Sequence, residues 1–282
     1  MVSLVDLFDP AGFYPLCVSL ISSLDGVSIL RLSMTCRALR RLYDSAKKIR
    51  WNIDKSLVRF VKDPSFFRLC MQQTGTIISG SFALQFFDGV YWPESDLNMY
   101  VPGSSRFEVL TRCLIDNEGY HEEKYPSVNR PEMGSSYNLR SFTRGDKRIQ
   151  LIIVVEDHDD PVRFILGNFY GSAILNFITF SKAYSVFPEN TFVQRDMCIL
   201  KDRTLSRERE IAKYRQRGFE PTELRYSTVD ATKIAVSERL IGDSQTWCLD
   251  LGNPWRLPEN KKFKSLRISI RTGIGRYLLW VF

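Results

Sequence analysis

Asp96 and Asn98 stand two positions apart, at the start of an apolar stretch at 97–101 whose pattern is typical of a β-strand. Side chains at positions i and i+2 of a strand project from the same face, so these two would lie side by side. Two carboxylates in this arrangement repel each other unless a cation is bound, and such a pair can hold the divalent ions that assist nucleotidyl transfer. Here the second position is a neutral amide, so the spacing predicts a metal site that lacks one of its charges.

A Gly-Ser step upstream could supply the other half of such a site. Gly80-Ser81 follows a short apolar segment at 76–78, predicted as a strand, and precedes a predicted helix. Backbone N–H groups at a helix N-terminus have no partner within the helix, and they can bind phosphate. A further polar residue, Gln150, interrupts the apolar pattern of a predicted strand at 148–155. We expect these polar positions to face one pocket.

The chain resembles a nucleotidyltransferase-like domain at three landmarks: Gly80-Ser81, residues 95–98 and residues 149–152. The resemblance implies metal-binding carboxylates at the positions of Asp96, Asn98 and Gln150, and only Asp96 is one. It therefore implies a pseudoenzyme with no catalytic residue and no cofactor, in which Asp96 is the metal ligand if any metal binds. Gly80 and Ser81 are the nucleotide-binding residues that it implies.

Further blocks of the chain are similar to a group of fungal proteins. They occupy residues 176–179, 183–188, 213–219 and 239–243, and the similarity extends over most of residues 76–252. Similarity to this group of proteins implies no activity for this chain. Its aromatic residues are interpreted as core packing on the sheet.

The N-terminal segment resembles an F-box, a small three-helix module. Pro15-Leu16, residues 29–33, residues 35–39 and a closing Trp51 follow the F-box order. The resemblance implies that an apolar ridge containing Pro15, Leu16, Ile29 and Leu32 docks on the adaptor of an SCF ubiquitin ligase. The usual Leu-Pro-x-Glu start is replaced here by Phe-Tyr-Pro-Leu. The alternative is a helical cap whose apolar face packs on the domain that follows.

The pattern of elements predicts an α+β fold: a small helical N-terminal module, then a nucleotidyltransferase-like mixed sheet flanked by helices. The Asp63-Pro64 step is the expected boundary between the helical module at 1–63 and the nucleotidyltransferase-like domain at 64–252. A basic C-terminal segment follows at 253–282. Helices are predicted in four later segments: 105–117, 164–170, 180–186 and 205–217. A hairpin is predicted from 141–144 and 148–155.

The composition argues against a membrane-spanning protein and against a secreted protein. The 282 residues contain no apolar run of about 18 residues, so no membrane span is expected. Asp6 and Asp9 appear early without a basic residue, which argues against a secretory signal. The six cysteines show no short paired spacing, which favours reduced thiols in the cytoplasm or nucleus.

The net charge of +7 comes entirely from the C-terminal part of the chain. Residues 1–200 hold 22 basic and 22 acidic side chains, whereas residues 201–282 hold 17 and 10. Lys261, Lys262, Lys264 and Arg267 form the densest group and would suit a nucleic acid or another polyanion. The alternative for this group is a solvated face.

Two functions remain open from the sequence. The first is a non-catalytic intracellular binding or adaptor protein with a protein partner, one form of which is an SCF substrate receptor. The alternative is a residual nucleotidyltransferase or nucleotide-binding protein that uses Asp96, with Glu94 or Asp88 as a substitute ligand. Magnesium and a nucleotide are expected only under this alternative.

Overall fold

The computed structural model describes residues 4–8, 10–123, 137–154, 160–222, 238–253, 267–273 and 276–281. The predicted polyanion-binding residues Lys261, Lys262 and Lys264 lie outside this range, and Arg267 is the first residue of a strand. Within the described residues, no helix is both long and apolar enough to cross a membrane.

Helices make up the N-terminal part of the chain, as predicted for the helical N-terminal module. In order they are α1 Leu4–Leu7, α2 Pro10–Ser23, α3 Gly26–Thr35, α4 Arg40–Ile49, α5 Ile53–Leu57 and α6 Pro64–Thr74. Three of them begin at a side-chain cap: Asp25, Asn52 and Asp63 each accept a hydrogen bond from a backbone N–H of the first turn. The Asp63-Pro64 step is therefore a helix start, with proline in the first turn where its missing N–H costs nothing.

An eight-stranded mixed sheet follows. Its strands are β1 Ile77–Ser79, β2 Leu97–Pro102, β3 His121–Glu122, β4 Tyr137–Arg144, β5 Lys147–Val154, β6 Asn176–Ile178, β7 Lys182–Ser185 and β11 Trp247–Asp250. Their order in the sheet is β11-β7-β6-β1-β2-β5-β4-β3. Among the described strands of this sheet, β2 and β5 are the only parallel neighbours.

Helices and two small sheets surround the large sheet. The helices are α7 Ser81–Asp88, α8 Ser104–Arg112, α9 Pro161–Asn168 and α10 Leu205–Gln216, with shorter turns at Cys113–Asn117, Ser172–Ile174 and Glu189–Val193. The small sheets contain β8 Asp196–Cys198, β9 Glu220–Thr222, β10 Glu238–Leu240, β12 Arg267–Gly273 and β13 Arg276–Val281. The predicted α+β class, a large mixed sheet flanked by helices, is confirmed.

The helix predicted at 180–186 is wrong, because this segment forms strand β7. It pairs with β6 on one side and with β11 on the other. Ala183 and Ser185 are buried while Lys182 and Tyr184 are half-buried, which is the alternation of a strand. The turn before it is closed by Thr179, whose hydroxyl oxygen accepts a hydrogen bond of 2.9 Å from the Lys182 N–H.

Two apolar cores cover the two faces of the large sheet, because successive residues of β2 and β5 point to opposite sides. The first core joins residues of the N-terminal helices, such as Ile29 and Trp51, to Leu97 of β2 and Ile149 of β5. The second core contains Tyr100 and Ile152 together with residues of α9 and α10. Asn98 and Gln150 alternate with the first-core residues, so they lie on the face of the second core.

Candidate functional site

A cavity of about 210 Å³ lies on the face of the second core, at the end of β2 that Asp96 immediately precedes. Its lining includes every residue of the predicted nucleotidyltransferase-like site: Gly80, Ser81, Asp96, Asn98 and Gln150. The structure therefore brings these five residues together on one wall.

The register of three strands explains why they meet. Asn98 of β2 is paired with Gln150 of β5 on one side and with Ser79 of β1 on the other. Because β2 and β5 run in parallel, their side chains at this level project in the same direction. Asp96 precedes Asn98 by two residues and so extends the same row.

Gly80 has a backbone conformation that only glycine adopts readily. Its φ is 76° and its ψ is −146°. A Cβ at this position would lie 3.0 Å from Nδ2 of Asn98. The missing side chain therefore lets the Asn98 amide pack against the turn, and Ser81 can begin α7 directly at the cavity wall.

Two polar atoms of the lining are buried without a hydrogen-bond partner. They are Oδ1 of Asn98 and the hydroxyl of Tyr170. Burial raises the pKa of Tyr170, so this side chain stays a neutral phenol. An unsatisfied buried polar group costs about 1–3 kcal/mol, and a cavity of this size has room for water or a ligand to satisfy both groups.

Helix α10 forms the opposite wall, which the sequence analysis did not assign to the site. The helix residues that line the cavity are Ser206, Arg207, Glu210, Lys213 and Tyr214. These positions recur at the three- and four-residue spacing of one helix face. The signal was present in the sequence, but nothing local indicated that this face meets the sheet.

Of the two proposed substitute ligands, only Glu94 lies at the cavity. Its carboxylate is 2.6 Å from Nη2 of Arg217, and this hydrogen bond lowers the pKa of Glu94. The Arg217 guanidinium also stacks on Trp92 at 4.0 Å and is only 7% exposed. Asp88 instead pairs with Arg195 at 2.7 Å and lines a separate cavity.

The residues do not fit a two-metal site. Positions 98 and 150 are neutral, and Glu94 is committed to Arg217. In the part of the chain that the structure describes, no group of three or more His, Cys, Asp or Glu side chains is arranged to hold a metal ion.

The loop that carries Glu94 and Asp96 is held from its other side by Arg59, a residue that the sequence analysis missed. The guanidinium donates hydrogen bonds to the carbonyl oxygens of Trp92 at 2.6 Å and Ser95 at 3.2 Å, and to Oε1 of Gln85 at 3.1 Å. A residue of the helical N-terminal segment thus positions the loop next to the cavity.

The four predicted docking residues of the N-terminal segment do not form one exposed ridge. Pro15 and Leu16 are exposed on α2. Ile29 is fully buried in the first core, and Leu32 is half-buried against it. Ile29 is thus a core residue in this structure, because α3 packs its apolar face inward.

No protein-family model and no curated protein matches the chain. Among solved structures, a CCA-adding enzyme in complex with CTP is similar at 18% identity and a TM-score of 0.42, over 61% of this chain and 43% of that chain. The complex of CCA-adding enzyme with ATP is similar at 16% identity and a TM-score of 0.40, over 61% and 42%. The chain spans less than half of the length of either structure.

Proposed function

We propose that this chain is a non-catalytic binding protein of the cytoplasm or nucleus, built on a degenerate nucleotidyltransferase-like fold, and that its cavity binds a small ligand without transferring a group. One observation supports this most directly. Asp96, Asn98 and Gln150 lie in one row on the cavity wall, and only the first is a carboxylate. Nucleotidyl transfer by two ions needs several carboxylates to hold them.

A transfer assay tests this proposal. The full chain is incubated with magnesium, each labelled ribonucleoside triphosphate, and RNA, protein or small acceptors. We expect no incorporation above that of a heat-denatured sample. Incorporation by the wild-type chain that the Asp96→Ala variant abolishes would show that the protein is an enzyme.

The second candidate is a residual nucleotidyltransferase that uses Asp96 with Glu94. Its supporting observation is that Glu94 lines the same cavity and is kept ionised by Arg217. If this candidate were correct, Asp96→Ala and Glu94→Gln would each abolish a magnesium-dependent reaction. Asp88→Asn, in the separate cavity, is the matched control and would leave the reaction intact.

For the N-terminal helices we propose a protein partner, with the SCF adaptor as the first one to test. Large apolar side chains stand exposed there: Tyr14 is 57%, Leu16 is 50% and Met34 is 82% exposed. Leu16→Asp should abolish co-purification with the adaptor, whereas Leu205→Asp, at a leucine of α10 that is 88% exposed, should not. Failure of the wild-type chain to bind the adaptor at micromolar concentration would end this proposal.

A further inference from the structure

We propose that the turn between helices α3 and α4 binds the phosphate backbone of a nucleic-acid duplex. The turn carries Arg37, Arg40 and Arg41, which we call the basic corner. None of these residues lines the cavity. The inference therefore goes beyond the proposed function, because it concerns another surface and a partner of another class.

The N-terminal helices carry their positive charge in one short stretch. All seven basic side chains of the first 50 residues lie between 31 and 50, and Asp44 is the only acidic side chain in that stretch. Asp44 pairs with Lys47 at 2.8 Å. This hydrogen bond, with a smaller contribution from the charge of Asp250, raises the pKa of Lys47. Asp44 and Lys47 neutralise each other, so the positive charge of the arginines remains.

The three arginines of the basic corner are exposed. Among the residues that the structure describes, none of their guanidinium groups has an ion-pair or hydrogen-bond partner. Arg50 differs from them, because it holds the fold together. Its guanidinium donates to the carbonyl oxygen of Asp88 at 2.9 Å and to that of Ser22 at 3.4 Å. The basic corner has no such structural task, and its charge is available to a partner.

The basic corner is a fixed turn. Leu39 and Leu42 are 6% and 1% exposed and belong to the first core. The Leu42 N–H donates to the Leu39 carbonyl oxygen at 2.9 Å, and the Arg40 N–H donates to the Arg37 carbonyl oxygen at 3.4 Å. The turn therefore presents three guanidinium groups within five positions of the chain. A guanidinium group is planar and can donate two parallel hydrogen bonds to one phosphate.

The surroundings of the corner favour a nucleic acid over a membrane or a protein. A helix that binds a membrane surface needs a free apolar face, whereas Leu42 and Ala46 of α4 are buried in the first core. Met34, which is 82% exposed, is the one large apolar side chain exposed between residues 31 and 42. A protein interface has an apolar centre, whereas nucleic-acid interfaces are more polar and more positively charged.

The composition of the corner favours a duplex over a single strand. Single strands bind by stacking their bases on aromatic side chains, and residues 31–42 contain no aromatic residue. A duplex keeps its bases stacked inside and presents its phosphates outside, which matches a surface of arginines. RNA and DNA duplexes share these phosphates.

Fluorescence anisotropy of the full chain with labelled RNA and DNA duplexes of one sequence tests the inference. We expect both duplexes to bind, with an affinity that falls steeply as salt rises from about 50 to 200 mM. The difference in affinity between the two duplexes identifies the preferred nucleic acid, and a preference for either one supports the inference.

A triple variant assigns the binding to the basic corner. The change of Arg37, Arg40 and Arg41 to alanine should reduce the slope of log affinity against log salt by about 2–3, since each neutralised phosphate contributes about 0.9. Alanine is the best helix former, so the variant should keep α4 intact. Melting temperatures check that it is folded.

The control variant removes the same three charges from other elements. It changes Lys55, Arg112 and Arg209 to alanine, and these side chains are exposed on α5, α8 and α10. The control should keep most of the wild-type slope. Equal slopes for the two triple variants would overturn the inference, because net charge alone would then explain the binding.

Three further results would overturn the inference. The first is no binding of either duplex at about 100 μM protein in low salt. The second is tighter binding of a single strand of the same sequence than of the duplex. The third is tighter, corner-dependent binding of phosphatidylserine vesicles or of polyglutamate, which would assign the surface to a membrane or to an acidic protein. None of these measurements involves the cavity, so the transfer assay tests the proposed function separately.

Discussion

Asn98 lies between Gly80 and Gln150 on the sheet wall of the cavity. Its amide packs against Gly80, its strand neighbour is Gln150, and its Oδ1 is one of the two unpaired polar atoms of the lining. An aspartate would occupy almost the same volume, so the difference between this cavity and a metal site at these positions is one of charge and not of shape. This leads to a gain-of-function prediction.

Restoring the carboxylates should create an ion site. The double variant Asn98→Asp with Gln150→Asp should bind magnesium more tightly than the wild-type chain, because three carboxylates would then line one wall. Gln73→Asp with Gln216→Asp adds the same charge at exposed positions outside the cavity and serves as the control. Calorimetry with magnesium chloride measures both. Equal affinity of the two double variants would show that positions 98 and 150 do not act on a common ion.

The turn at Gly80 should tolerate no side chain. Gly80→Ala forces a Cβ into a conformation with φ of 76° and into close contact with Asn98. We expect a loss of about 1–3 kcal/mol in the free energy of unfolding. Gly167→Ala, in helix α9 with open space around it, should be neutral or slightly stabilising. Urea denaturation followed by circular dichroism measures the difference, and equal stabilities would contradict the assignment.

At the scale of elements, the loop between α7 and β2 is held by two arginines from different parts of the chain. Arg59 binds the carbonyl oxygens of Trp92 and Ser95, while Arg217 binds Glu94 and stacks on Trp92. The second contact joins this loop to the end of α10, which forms the opposite wall of the cavity. Its strength depends on the ionisation of Glu94.

Acid should release this contact. Hydrogen bonding from Arg217 lowers the pKa of Glu94 below its ordinary value of 4.5. A group with a lowered pKa in the folded state stabilises above its ordinary pKa, and this contribution is lost as the pH falls through the lowered value. We therefore expect the fluorescence of Trp92 to change below pH 4.5. Glu94→Gln should lack this transition, and Trp92→Phe identifies the signal. A transition that persists in Glu94→Gln would assign it to another carboxyl group.

At the scale of the whole molecule, the N-terminal helices and the sheet share one core. The indole N–H of Trp51 donates to the Phe87 carbonyl oxygen at 3.1 Å, and its ring meets the Trp247 ring edge-on at 5.1 Å between centroids. Arg68 of α6 pairs with Asp54 at 3.0 Å and donates to the carbonyl oxygen of Phe180 at 2.8 Å. These contacts should make the two parts unfold together.

Two substitutions in the N-terminal helices should therefore differ sharply. Ile29→Asp buries a charge in the shared core and should cost more than about 4 kcal/mol, with unfolding of the sheet as well. Leu16→Asp, at a half-exposed position, should change stability by less than about 1 kcal/mol. Tryptophan fluorescence and far-ultraviolet circular dichroism in urea should give coincident transitions. Two separate transitions would show that the helices form an independent module.

The local features of this protein could be predicted from its amino-acid sequence. The N-terminal helices, four of the eight strands of the large sheet (β1, β2, β4 and β5) and the Gly80-Ser81 turn follow from periodicity and turn chemistry, which depend on neighbouring residues. Asp96 and Asn98 were predicted to lie side by side because a two-residue spacing on a strand already determines a shared face. Gly80, Ser81 and Gln150 were placed at the same site by the resemblance to a nucleotidyltransferase-like domain. The segment at 180–186 was assigned incorrectly because its apolar residues suit either a helix or a strand.

The surfaces that meet in the folded chain could not be predicted from local patterns. Segment 180–186 is a strand because β6 and β11 offer backbone groups on both sides of it. Ile29 is buried and α10 closes the cavity because distant elements pack on them. Arg59 reaches Trp92, 33 positions away in the chain, through a contact that no local pattern encodes. Burial and long-range hydrogen bonding depend on the arrangement of the whole chain, whereas periodicity depends only on adjacent residues.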